Sequence, residues 1–188
     1  MKLVAAIPDE RMQQIISLFQ HVGYKSPSML DIAHQLSIST KTLYSYTNNK
    51  EDLIVMTIRQ IEQRYHKKCE ECLDKTSERN ELQALFTLFA DLFEDFPYHA
   101  VQDLSQHYPT AYNEYISVKT QCEEALTVHI QLAQGNKRYQ NELDADFLSK
   151  LISFQIEQIS HQRFMHLKQS KAALLEAYFE FTWGGFIC

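Results

Sequence analysis

Glycine and proline are scarce in this chain, four of each in 188 residues, and that scarcity argues against a turn-rich architecture. Long helices joined by few tight corners follow. No uninterrupted apolar run reaches the roughly 20 residues that a membrane-spanning helix needs, so no membrane partner is expected. The opening stretch MKLVAAIPDERM turns charged too early for a secretory signal, which makes a soluble cytoplasmic protein the expectation. Four cysteines without a dense framework of spacings agree with a reducing compartment.

The usual signs of catalysis are missing as well. There is no G-x-S-x-G, no P-loop, no G-x-G-x-x-G and no H-E-x-x-H, and none of the eight histidines follows a glutamate by three residues. The expectation is therefore no enzyme, no cofactor and no metal site. Cys69 and Cys72 form a C-x-x-C that would share a helical face, but no second pair exists, and Glu70 and Glu71 would raise rather than lower the thiol pKa. Two reduced helix cysteines are the reading, with a thiol switch as the alternative.

A basic excess is lacking too, since the net charge is −6. The charge is unevenly spread. Residues 1–60 hold six Lys/Arg against five Asp/Glu, and the remainder holds 12 against 19, a net −7. Any nucleic-acid binding must rest on a few well-placed contacts rather than on a broad positive surface. What the chain does have is apolar content, 45% of its residues, enough for a sizeable core.

Residues 28–53, SMLDIAHQLSISTKTLYSYTNNKEDL, have the layout of a helix-turn-helix. Ser28 is placed to cap a helix with Asp31 at its third position, and Ile32, Ala33 and Leu36 fall on one face. Ser37 and Ile38 make the turn. Ser39 caps a second helix, in which Leu43 is the apolar anchor and Thr40, Lys41, Thr42, Tyr44 and Tyr46 offer hydroxyls, a cation and flat rings suited to phosphates and base edges. Asn49 caps a further helix, with Asp52 at its third position and Lys50 at the helix start. Ahead of the motif, Met12, Ile15, Ile16, Phe19 and Val22 form one stripe that opens after Pro8 and closes at Gly23.

Over residues 8–60 the chain resembles the TetR-type (TetR/AcrR) transcriptional regulators, through Ile32-Ala33, Leu43-Tyr44 and Lys50-Glu51-Asp52-Leu53. It departs from their pattern at Ser37, where glycine is usual, and at Thr47, where phenylalanine is usual. The resemblance implies an all-α protein: a three-helix DNA-binding head in residues 1–50, a connecting helix to about 75, and a helical ligand-binding and dimerisation domain over 76–188. It implies a homodimer paired through its last two helices on a palindromic operator in double-stranded DNA, acting as a repressor that a small molecule releases. The DNA-binding residues would be Ser28, Ser39, Thr40, Lys41, Thr42, Tyr44, Tyr46 and Lys50: Ser28, Tyr44, Tyr46 and Lys50 would anchor phosphates, Ser39 would also cap the reading helix, and Thr40, Lys41 and Thr42 would lie nearest the base edges.

The body reads as helices. Leu82, Leu85, Phe86, Phe89, Phe93 and Phe96 form a stripe ended by Pro97, and a turn is expected near Thr76 to Asn80. A shorter piece around Ala100 to Gln106 precedes a long helix through Tyr112 and Ile130, closed by Gly135-Asn136. The last helices, about Leu143 to Leu167 and Ser170 to Phe186, are apolar over more than one face, so a second surface needs covering. Phe86, Phe89, Phe93, Tyr112, Phe147, Phe154, Gln155 and His161 are the candidate lining of a pocket for a small apolar or aromatic ligand. For each aromatic, ordinary core packing is the competing reading. Two other functions stay open: a regulator of this fold governed by a protein partner or by no ligand, and a helical enzyme or carrier.

Overall fold

A computed structural model describes residues 6–73, 78–135, 143–161 and 170–184. Among these the chain forms nine helices and no strand: α1 Asp9–Val22, α2 Met29–Gln35, α3 Thr40–Tyr46, α4 Lys50–Leu73, α5 Glu78–Asp95, α6 Tyr98–His107, α7 Pro109–Gly135, α8 Ala145–Ser160 and α9 Lys171–Gly184. The all-α expectation holds. The expected turn near Thr76 to Asn80 falls partly outside the described residues, and α5 already covers its last three positions. The stop at Asn136, the run to Leu167, the end at Phe186 and the side chain of Cys72 also lie outside them; Cys69 is half-buried and in no disulfide among the described residues.

Packing divides the chain differently from its order. One compact unit takes in the chain up to Arg64 together with Phe96–Ser117, and the other takes in Tyr65–Asp95 with the chain from Val118 onward. The helix-turn-helix thus shares a unit with α6 and the first turns of α7.

In the first unit, α1 buries Met12, Ile15, Ile16 and Phe19. Val22, expected on the same stripe, is 43% exposed at the helix end. Ile32, Leu43, Leu53, Ile54 and Ile58 are fully buried beside them, and each contributes about 1.5–3 kcal/mol through the loss of apolar surface to water. Gly23 ends α1 at φ 80, ψ 174, a region that side chains avoid, and its N–H bonds the Phe19 carbonyl. Its missing side chain matters twice, because a Cβ there would stand 2.5 Å from Asp103 Oδ2. That carboxylate accepts from the Lys25 N–H at 2.9 Å and so ties α6 to the loop after α1. Glu51 Oε1 accepts from the N–H groups of Thr110 and Ala111, closing the start of α7 against α4, and Arg59 pairs with Glu114.

The second unit is built on the phenylalanine stripe. Phe86, Phe89, Phe93, Leu126, Ile130, Leu148, Ile152, Ile156 and Phe179 form one buried cluster from α5, α7, α8 and α9. Phe96, expected on that stripe, lies in the other unit against Tyr115, with ring centroids 4.9 Å apart. Helices α7 and α8 also meet through polar side chains. Thr127 donates to Ser149 at 2.7 Å, Ser153 donates to Glu123 at 2.6 Å, and Lys119 pairs with Glu157 at 2.7 Å. The members are four residues apart on each helix and run in opposite directions, so α7 and α8 are antiparallel and locked in one register.

Candidate nucleic-acid interface

The short helices of the head are set by their caps. Ser28 accepts from the Asp31 N–H while the Asp31 carboxylate accepts from the Ser28 N–H at 2.8 Å and from its hydroxyl at 2.6 Å, a complete capping box. The charged form of Asp31 is therefore favoured. Its pKa is lowered, first by the Ser28 side chain and then by the Ser28 backbone. Ser39 accepts from the Thr42 N–H at 3.0 Å, and Asn49 Oδ1 accepts from the Asp52 N–H at 2.8 Å, so all three expected caps form.

The turn between α2 and α3 needs one residue with positive φ, and Ser37 supplies it at φ 53. The backbone hydrogen bonds from Ser37 to His34 and from Ile38 to Ala33 hold that conformation, both at 3.0 Å. Thr47 compensates for its small size in another way. It is buried, and its hydroxyl donates to the Asn49 carbonyl at 2.9 Å, fixing the corner between α3 and α4.

With Leu43 fully buried, α3 turns an outward face made of Lys41, Tyr44 and Ser45, with Thr40 half-exposed beside them. Tyr44 is 50% exposed. Thr42 is half-buried, and its hydroxyl is shared with Ser39 at 2.9 Å. Ser45 was missed by sequence reasoning; it is four residues from Lys41, and that spacing was the available signal.

Tyr46 does not have the placement expected of it. It is buried, and its hydroxyl accepts from Arg11 Nη1 at 2.8 Å, so α1 holds the end of α3 through it. Standing three residues after Leu43, it shares the inward face, and its ring is not presented to a phosphate. Lys50 is half-buried and already engaged: Nζ donates to the Lys25 carbonyl at 2.9 Å and lies 5.5 Å from the centre of the Tyr108 ring. Burial lowers its pKa, against the pull of Asp103 and Asp31. Ser28 likewise has its hydroxyl committed to the capping box.

The candidate ligand residues separate in the structure. Phe86, Phe89 and Phe93 lie in the core of the second unit, with His161 edge-on to Phe93 at 5.9 Å. Gln155 is half-buried on α8. Phe147 and Phe154 point outward, 54% and 52% exposed, and do not line an interior pocket. Tyr112 belongs to the first unit. No group of three or more metal-ligating side chains occurs among the described residues.

Residues 13–55 match the family model for bacterial regulatory proteins of the tetR family. The HTH-type transcriptional regulator HbdR of Aromatoleum sp. (strain CIB) is 35% identical over 57 residues, 28% of this chain and 25% of that regulator. The matched stretch thus spans about a quarter of that relative. A Saccharomonospora viridis protein solved in complex with choline has a similar fold, with a TM-score of 0.80 at 18% identity over 95% of this chain and 96% of that one. So does the regulator FadR from Bacillus subtilis in complex with stearoyl-CoA, with a TM-score of 0.72 at 16% identity over 94% and 98%. At these identities the likeness is one of fold.

Proposed function

We propose, from the match of residues 13–55 to the model for bacterial regulatory proteins of the tetR family, that this chain is a site-specific DNA-binding transcriptional regulator that acts as a homodimeric repressor. The observation that carries the reading is the outward face of α3. Lys41, Tyr44 and Thr40 stand on a helix whose caps and buried anchors leave them facing outward to meet a major groove, with Ser45 beside them donating its hydroxyl to the Thr42 carbonyl at 2.6 Å. Lys41 and Thr40 approach base edges, and Tyr44 reaches a phosphate. Ser28, Tyr46 and Lys50 serve mainly to hold that helix in place.

Two heads bind half-sites of a palindrome about one helical turn apart or somewhat more. The second copy docks on α8 and α9. Support comes from the exposed apolar row Leu143, Phe147, Leu151 and Phe154, each 41–54% exposed, and from Phe181 at 82%. A small molecule that binds the helical body better in the DNA-free conformation releases the operator by that difference in affinity. The choline and stearoyl-CoA complexes of proteins with this fold support a ligand-binding body.

The test is selection of bound fragments from a genomic library, followed by mobility shifts on the recovered site. Lys41→Ala and Tyr44→Ala should each abolish the shift while leaving the far-ultraviolet circular dichroism unchanged. Undiminished binding in both variants overturns the assignment.

A further inference from the structure

The loop between α1 and α2, residues 23–28, sets where the helix-turn-helix begins, because Ser28 at its end caps α2. Both backbone groups of Lys25 in that loop are held by side chains from elsewhere in the same compact unit. Asp103 on α6 accepts from the Lys25 N–H at 2.9 Å, and Lys50 at the start of α4 donates to the Lys25 carbonyl at 2.9 Å. The neighbouring Tyr24 carbonyl accepts from the Tyr108 hydroxyl at 3.4 Å. Gly23 makes room for the carboxylate: it is the first glycine of the chain, the next is Gly135, and a Cβ at Gly23 would stand 2.5 Å from Asp103 Oδ2. The loop is shaped to receive α6.

We infer that Asp103 is a positioning residue for DNA reading: from α6, well outside the matched residues 13–55, its carboxylate fixes the α1–α2 loop and, through it, the capping box that starts the helix-turn-helix. Buried Ala100 and Leu104 seat α6, and Asp103, half-buried, stands next to Leu104 on that helix. A carboxylate is repelled by phosphate, so Asp103 gains nothing by touching DNA itself. Its charge also favours the cationic form of Lys50, against the burial that lowers the Lys50 pKa, and so supports the second hold on Lys25. The inference rests on the proposed function for its DNA readout. Amide exchange on the DNA-free protein tests the loop by itself, so the two can fail separately.

The test uses the full chain, its selected operator and three variants that each remove one negative charge: Asp103→Ala, Asp103→Asn and Glu114→Ala. Asp103→Asn keeps an oxygen acceptor for the Lys25 N–H, and Glu114→Ala breaks the ion pair with Arg59 in the same unit without touching the loop. Loss of negative charge by itself favours binding to a polyanion, so positioning is read from a change of the opposite sign. Measured well below each melting temperature, Asp103→Ala should bind the operator about tenfold more weakly, as the loss of a hydrogen bond to a charged group implies. Its salt dependence should match the parent's, because no phosphate contact is lost. Asp103→Asn and Glu114→Ala should bind within about twofold of the parent, or more tightly. In the DNA-free protein the Lys25 amide should exchange about tenfold faster in Asp103→Ala and near the parental rate in Asp103→Asn. Full affinity in Asp103→Ala, equal weakness in Asp103→Asn or Glu114→Ala, or an unchanged Lys25 amide overturns the inference. A parent that selects no DNA overturns the proposed function and with it the DNA role of Asp103, while amide exchange still decides whether Asp103 holds the loop.

Discussion

Gly23 and Tyr46 are single residues whose places the head cannot easily change. At Gly23 an alanine would meet two obstacles, the positive φ and the Asp103 oxygen 2.5 Å from the new Cβ. Gly23→Ala should cost about 1–3 kcal/mol, read as a lower denaturant midpoint with an unchanged slope. Adding Asp103→Ala should recover only part of that loss, because the backbone strain remains. A full recovery would mean that contact alone, and not φ, selects glycine.

Tyr46 separates holding from reading. Tyr46→Phe keeps the buried ring and removes only the hydroxyl that accepts from Arg11, so about 0.5–1.5 kcal/mol of stability should go. Operator affinity should fall far less than in Tyr44→Ala. A shift assay on both variants at one salt concentration decides it. If Tyr46→Phe loses binding as completely as Tyr44→Ala, then Tyr46 contacts DNA and its buried placement is not the one that matters there.

Among elements, the caps were legible in the sequence and the ladder was not. Ser28, Ser39 and Asn49 bond to groups three residues away, so local order alone specifies them. The rungs between α7 and α8 join residues 22, 30 and 38 apart, and a serine inside an apolar helix says nothing of its partner until the helices are packed. The same limit explains Phe147 and Phe154. Their helix carries two apolar faces, as its composition suggested, but only packing tells which face meets the core: Leu148, Ile152 and Ile156 go in, and the phenylalanines stay out.

The capping box gives α2 a pH dependence. Asp31 has a lowered pKa in the folded chain, so its contribution is fully present above the unfolded carboxylate value of about 3.9 and is lost as pH falls through the lower folded value. Ser28→Ala should destabilise the head by about 1 kcal/mol at pH 7. At acid pH the difference from the parent should shrink, as Asp31 loses the charge that the Ser28 contacts favour. Urea titrations at the two pH values check this; a constant difference would assign the cost to the Ser28 hydroxyl alone.

For the whole molecule, charge and exposed apolar surface bear on the same question. The first 60 residues carry a net charge of only +1, too little for one head to hold DNA by phosphate neutralisation. Affinity in the proposed mechanism must therefore come from pairing two heads, and the outward row Leu143, Phe147, Leu151 and Phe154 is an exposed apolar surface suited to it. Phe147→Glu with Phe154→Glu places two charges in that row without touching the buried cluster. The variant should sediment as a folded monomer, with far-ultraviolet circular dichroism like the parent's. Its affinity for a full palindrome should fall to that of the parent for an isolated half-site, because only the gain from pairing is lost. A double variant that remains dimeric would move the interface elsewhere, and a monomer that kept full affinity for the palindrome would show that one head suffices.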